Sequence, residues 1–349
     1  MYNPYIGIFK FILSILVVAI HVEPFTGDVA FFLNNCIARI AVPSFFIYSS
    51  YFLFDKLLQN NWDKKIFIQQ EKHLAKYYGI WLLLHSPVVL YRLYESSDGL
   101  LDYIWKIIQA VCLKGPYGAL WFLPATMMAV ALVYYIGKKT SPAICLLISF
   151  PLFLFAAIET EYVAFIKDIV WMEYVNNFLV AIFGWLANGL TFGFFFCSIG
   201  FYIAYHKNKA RTLQIDLIKA ILAFILLFVE TKIIRDYKLG VSYGAMLMLI
   251  PTVYYIAQVL LHMKKTSNMK TIALAKYLQN MSLLIYPMHF AIMELLEFFL
   301  KDSKTYMNST ALQFLIVVLV TCGISMIIIY LGQTKKNKNC TLFIRQINT

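Results

Sequence analysis

Residues 4–24, PYIGIFKFILSILVVAIHVEP, decide the fold class of this chain. The apolar run from Ile6 to Ile20 contains one ionisable side chain, Lys10. His21 closes the run, and Glu23 and Pro24 follow at once. A run of this length and composition reads as a membrane-spanning helix. An ionisable group inside such a span is costly and marks a functional-site candidate. Lys10 and His21 are eleven residues apart, close to three helical turns, so they share one face. Gly7, Lys10, Ser14, Val17 and His21 then form a small or polar stripe that must face protein or a water-filled cavity. Their spacing corresponds to a rise of about 16 Å, half the hydrocarbon thickness. Lys10 therefore cannot hydrogen-bond His21, and is expected to meet a different part of a long ligand.

Composition extends this to the whole chain. Of 349 residues, 61% are hydrophobic and only 14% charged, the mean hydropathy is +0.71, and apolar runs of about twenty residues recur. The expected fold is all-α: a polytopic membrane protein built as a single bundle. The abundant Tyr and Phe cluster near predicted span ends, where aromatic rings prefer to sit. Lys10 interrupts the first run and no small-residue cleavage site follows it, so no cleavable signal peptide is expected. The cysteines at 36, 112, 145, 197, 322 and 340 show no paired or metal-ligand spacing. Neither a disulfide framework nor a metal site is expected. A net charge of +12 could suggest nucleic acid, but its distribution fits membrane orientation, and no nucleic-acid partner is expected.

Ten spans are predicted, at roughly 5–22, 36–54, 77–94, 118–136, 142–158, 186–205, 212–230, 241–262, 281–300 and 310–331. With a cytoplasmic N-terminus, the inner segments hold roughly twice as many Lys and Arg as the outer ones, among them Lys64, Lys65, Lys138, Lys139, Lys207, Lys209, Arg211, Lys264, Lys265, Lys335 and Lys336. Both termini are thus expected in the cytoplasm. Residues 98–114 and 159–185 are expected to include interfacial helices, and 55–76 a charged helical linker. Residues 1–334 form the predicted membrane domain, and 335–349 a flexible basic tail.

The chemistry-bearing positions lie at the ends of these spans. His21 could act as general base toward an acceptor hydroxyl, since neutral imidazole is poised near physiological pH; a polar residue merely reaching water at a span end reads equally well from this helix alone. Arg39 opens the second span at the same outer level, four residues before a kinking Pro43. Trp121 begins the fourth span. Asn188 begins the sixth, where a buried amide needs a partner. Tyr286-Pro287-Met288-His289 is followed by Glu294 and Glu297, too many polar groups for a lipid-facing helix; a structural network and chemistry are equally open there.

The Lys10–ten residues–His21 spacing resembles the Arg/Lys–ten residues–His signature of the integral-membrane acyltransferase 3 family. The blocks RIAVPSFF (39–46), ALWFLPA (119–125), NGLTFGFFF (188–196) and YPMHF (286–290) resemble the same family in the same order. Within it they look most like the membrane portion of the vancomycin-resistance serine racemases, with no racemase domain expected after the last span. The resemblance implies a ten-helix bundle in the plasma membrane of a bacterium that moves an acetyl or other acyl group from acetyl-CoA to a hydroxyl of an extracytoplasmic or membrane-associated glycan. It implies that His21 is the essential histidine and that Lys10 fills the Arg/Lys position. Many members carry Arg-x-x-Arg at the cytoplasmic entry to the third span, thought to contact the donor; here the stretch reads Lys72-His73-Leu74-Ala75-Lys76. Lysine still binds phosphate as a point charge but lacks the bidentate fork. The soluble His-x-x-x-x-Asp acyltransferase motif is absent, because position 26 is Thr.

These residues together outline a mechanism. Acetyl-CoA would dock at Lys72, His73 and Lys76, pass Lys10 and reach His21, with Arg39, Asn188 or a backbone N–H holding the oxyanion. Direct acylation of the histidine is equally open. Glu23, Trp121, His289 and Glu294 are the candidate acceptor contacts. The alternative is a binding or transport protein in which His21, Arg39 and Glu294 cradle a zwitterionic amino acid such as serine, independently of acetyl-CoA.

Overall fold

The computed structural model describes residues 3–115, 118–263 and 266–334. Their helices, in order, are α1 (Pro4–Val22), α2 (Gly27–Phe32), α3 (Ala41–Gln59), α4 (Lys64–Glu95), α5 (Leu100–Cys112), α6 (Phe122–Gly137) and α7 (Pro142–Glu161). They continue as α8 (Val170–Phe183), α9 (Phe194–Tyr205), α10 (Leu213–Asp236), α11 (Leu249–His262), α12 (Met269–Leu300), α13 (Lys304–Met307) and α14 (Thr310–Thr334). No strand occurs among the described residues. Among the described residues six helical stretches are long and apolar enough to cross a membrane: Pro4–Val22, Gly27–Gln59, Gly118–Gly137, Pro142–Glu161, Met269–Leu300 and Thr310–Gln333. This is an all-α, multi-pass membrane protein. The predicted tail, 335–349, lies outside the described residues, as do Lys264 and Lys265.

The chain forms two compact units, Met1–Val42 with Val259–Thr349, and Pro43–Gln258. In the first, α1, α12 and α14 pack on one another. Lipid is as apolar as leucine, so close approach and dispersion hold such helices together rather than escape from water. Accordingly the buried face of α1 includes Gly7, Ser14 and Ala19 beside Leu13 and Val18. Asn3 and Pro4 start the helix, with Asn3 Oδ1 accepting from Tyr5 N at 3.1 Å. Glu23 ends it in a left-handed conformation (φ 51°), its N–H donating to Ala19 O at 3.0 Å.

In the second unit, α6, α7 and α9 form an aromatic core around Phe153, Phe195 and Phe196. Gly200 lets α9 lie directly on α3, where any Cβ would collide with Ser50 Oγ and Ile47 O. The predicted helices within 98–114 and 159–185 are present as α5 and α8, each exposing large apolar side chains: Leu101 and Trp105 on one, Trp171 and Phe178 on the other. Gln109 Nε2 ties them together through Ile182 O at 3.1 Å. The linker 55–76 divides differently from the prediction. α3 runs on to Gln59, and α4 is one continuous helix from Lys64 through the predicted third span.

A larger departure lies at 241–262, where the helix starts only at Leu249. Two carboxylates from neighbouring helices hold the preceding segment in a non-helical path. Glu161 Oε1 accepts from Ser242 Oγ at 2.7 Å and Ala245 N at 2.8 Å. Glu230 accepts from Leu247 N at 2.7 Å and Met248 N at 2.8 Å, and from the Tyr162 hydroxyl. Backbone donors satisfied by carboxylates have no need of a helix turn. Apolar composition alone could not reveal this.

Candidate functional site

His21 sits in the last turn of α1, and α12 packs alongside. Its imidazole stacks on that of His289, with ring centroids 5.4 Å apart and planes 26° from parallel. The Phe290 ring lies 4.4 Å away on the same helix. His289 is fully buried, and its Nδ1 lies 3.2 Å from Ile285 O. A carbonyl can only accept, so Nδ1 donates to it. Arg39, in the short π and 3-10 segment before α3, donates from Nη2 to Asn35 Oδ1 at 3.2 Å. Its guanidinium is within electrostatic range of His21, as is His289. Three of the residues singled out from sequence thus converge: His21, Arg39 and His289.

His21 opens onto a cavity of about 140 Å³ lined by Val22, Met293, Glu297, Tyr306, Met307, Gln313 and Val317. Gln313 Nε2 donates to Tyr306 O at 3.1 Å and to Met307 O at 3.5 Å, fixing the short α13 over α14. Burial, with the Glu297 carboxylate nearby, raises the pKa of the Tyr306 phenol, so it remains a hydrogen-bond donor at neutral pH. Glu297 lines this cavity, whereas Glu294, one turn earlier, is not among the lining residues. Glu23 is exposed and serves as the left-handed cap of α1.

Lys10 shares the continuous helix α1 with His21, so the three-turn separation read from sequence holds in the structure. The remaining expected residues belong to the second unit. Lys72 and Lys76 are exposed one turn apart on α4, with His73 half-buried between them. Burial, then the Lys76 charge, lowers the His73 pKa, which favours neutral imidazole. Next to them, burial pushes the Glu71 carboxyl up to about 7. Trp121 packs against Phe46, Trp185 and Phe192. Asn188 is buried, and its Oδ1 accepts from Leu190 N at 2.8 Å and Thr191 N at 3.1 Å while Nδ2 donates to Trp185 O at 2.9 Å. It caps the π-helical turn Gly189–Gly193 that leads into α9. No group of three or more metal-ligating side chains occurs among the described residues.

A family model described as an acyltransferase domain, acyltransferase 3, matches residues 3–330. The chain belongs to the acyltransferase 3 family. An amino-acid racemase of Enterococcus faecalis is 28% identical to it over 274 residues, 77% of this chain and 37% of the relative. A serine/alanine racemase of Enterococcus gallinarum is 24% identical over 342 residues, 93% of this chain and 45% of the relative. The chain spans less than half the length of these curated relatives. No solved structure matches it.

Within this acyltransferase domain, sequence reasoning missed Tyr306 and Gln313. Tyr306 falls in a segment read as a loop and carried no signal. Gln313 did leave one, a neutral amide inside the first turn of an otherwise apolar span.

Proposed function

We propose that the protein is a multi-pass O-acyltransferase of the plasma membrane, with about ten spans and both termini cytoplasmic. It moves an acetyl group from cytoplasmic acetyl-CoA to a hydroxyl of an extracytoplasmic or membrane-associated glycan. The observation that carries this is the stacked His21–His289 pair, with Arg39 in range, beside a polar cavity in a member of an acyltransferase family. His21 takes the proton from the acceptor hydroxyl as its oxygen bonds to the acyl carbon. The thioester C–S bond then breaks, and the thiolate leaves with the proton from the imidazolium. Arg39 stabilises the oxyanion that develops in between. Lys72, His73 and Lys76 meet the donor phosphates, and Lys10 meets its extended arm. Acetyl transfer from labelled acetyl-CoA by purified protein tests this: activity should vanish in His21→Ala, and full activity in that variant would sink the proposal.

Since the relatives are named as amino-acid and serine/alanine racemases, we keep a second reading: binding or transport of a small amino acid such as serine, with His21, Arg39 and Glu294 as the cradle. It requires serine uptake by reconstituted vesicles without acetyl-CoA, unaffected by neutralising Lys72 and Lys76.

A further inference from the structure

The cavity beside His21 has a chemical character of its own. Its volume of about 140 Å³ suits one sugar ring or a smaller hydroxyl compound. Its polar lining is rich in acceptors. Glu297 contributes a carboxylate, and Gln313, its Nε2 committed to Tyr306 O and Met307 O, is left with its amide oxygen. The Tyr306 phenol supplies a donor. Among the described residues no Lys or Arg lines the cavity. An acidic ligand would meet Glu297 with no lining Lys or Arg among the described residues to offset it, at a cost set by like-charge repulsion in a partly enclosed space. An amine or a neutral hydroxyl would instead donate to the carboxylate.

We propose that this cavity is the acceptor subsite, and that Glu297 makes it select neutral or amine-bearing hydroxyl compounds over acidic ones. The assignment rests on the acyl-transfer function of His21. Val22, Met293, Met307 and Val317 supply apolar walls for the face of a ring, while Tyr306 and Gln313 address its edge. Glu297 is a specificity determinant, distinct from the base.

The test uses the full chain in lipid nanodiscs and three probes: methyl glucosaminide, methyl glucoside and methyl glucuronide. The first readout is the rate at which diethyl pyrocarbonate modifies His21, followed by mass spectrometry of its peptide. The amino and neutral sugars should slow modification at least about threefold and the uronate should not, a difference the size of one partly exposed charge interaction. E297Q should level the three, and E297K should invert their order. Equal protection by all three, protection by none, or an order that survives E297K would overturn the assignment. The second readout is acetyl transfer to the same probes. Ordered protection without transfer would leave a sugar-binding cavity governed by Glu297 and overturn both the acyl-transfer function and the acceptor role. Transfer by a protein that shows no ordered protection would keep the acyl-transfer function and overturn the subsite.

Discussion

Glu161 and Glu230 in the second unit and His21 in the first are all polar groups near helix ends, yet they are committed in opposite ways. Every carboxylate oxygen of the two glutamates accepts from a backbone N–H or a neighbouring hydroxyl, and Glu161 is wholly buried. His21 makes no hydrogen bond among the described residues and lines a polar cavity. A costly group whose bonds are all satisfied within the protein serves the fold. One held by ring contacts at the edge of a cavity is available for chemistry. Burial alone does not sort them, since Glu161 is wholly buried, Glu230 half-buried and His21 exposed; the identity of the partners does.

The contrast can be broken most severely at Glu161. Glu161→Ala strands the Ala245 N–H and the Ser242 hydroxyl, and should cost about 3 kcal/mol of stability. Thermal unfolding in detergent would register it, and an unchanged midpoint would show that the carboxylate has no clamping role. Next in size is His289→Phe. It keeps a ring against His21 but removes both ring nitrogens and the Ile285 contact, and should lower kcat about tenfold with little change in unfolding. Loss of both together would place His289 with the structural group.

Legibility from sequence followed the same divide. The apolar run with Lys10 and His21 exposed α1 and its functional face, because a lipid-facing helix has few reasons to carry such groups. His289 and Arg39 were readable on the same ground. The clamp was not, since Glu161 and Glu230 are distant in sequence from Ala245 and Leu247, and residues 241–248 look as apolar as the helix that follows. The cavity was half-legible: Glu297 stood out on α12, but Tyr306 joins it only through the fold of the 301–309 connection. Asn188 was visible as a buried amide, while its capping geometry became visible only in three dimensions.

Two smaller effects sharpen the account. Glu71 has its carboxyl pushed up to about 7 by burial, beside Lys72, His73 and Lys76. It is neutral below that pH and anionic above it, so it weakens the attraction for donor phosphates as pH rises. The KM for acetyl-CoA should climb roughly threefold between about pH 6 and pH 8, and E71Q should flatten the profile. A slope that persists in E71Q would assign the titration elsewhere. Smallest is Glu23→Gly, which relieves a left-handed non-glycine cap and should stabilise α1 by about 0.5 kcal/mol with no loss of activity. A fall in transfer rate would give the Glu23 carboxylate an acceptor role.

The most direct measurement is acetyl transfer from acetyl-CoA by His21→Ala beside wild type, at matched amounts of folded protein. The account predicts a loss of at least about a hundredfold, as removal of a general base brings, with the unfolding midpoint unmoved. Undiminished transfer, or a loss matched by unfolding, would contradict it.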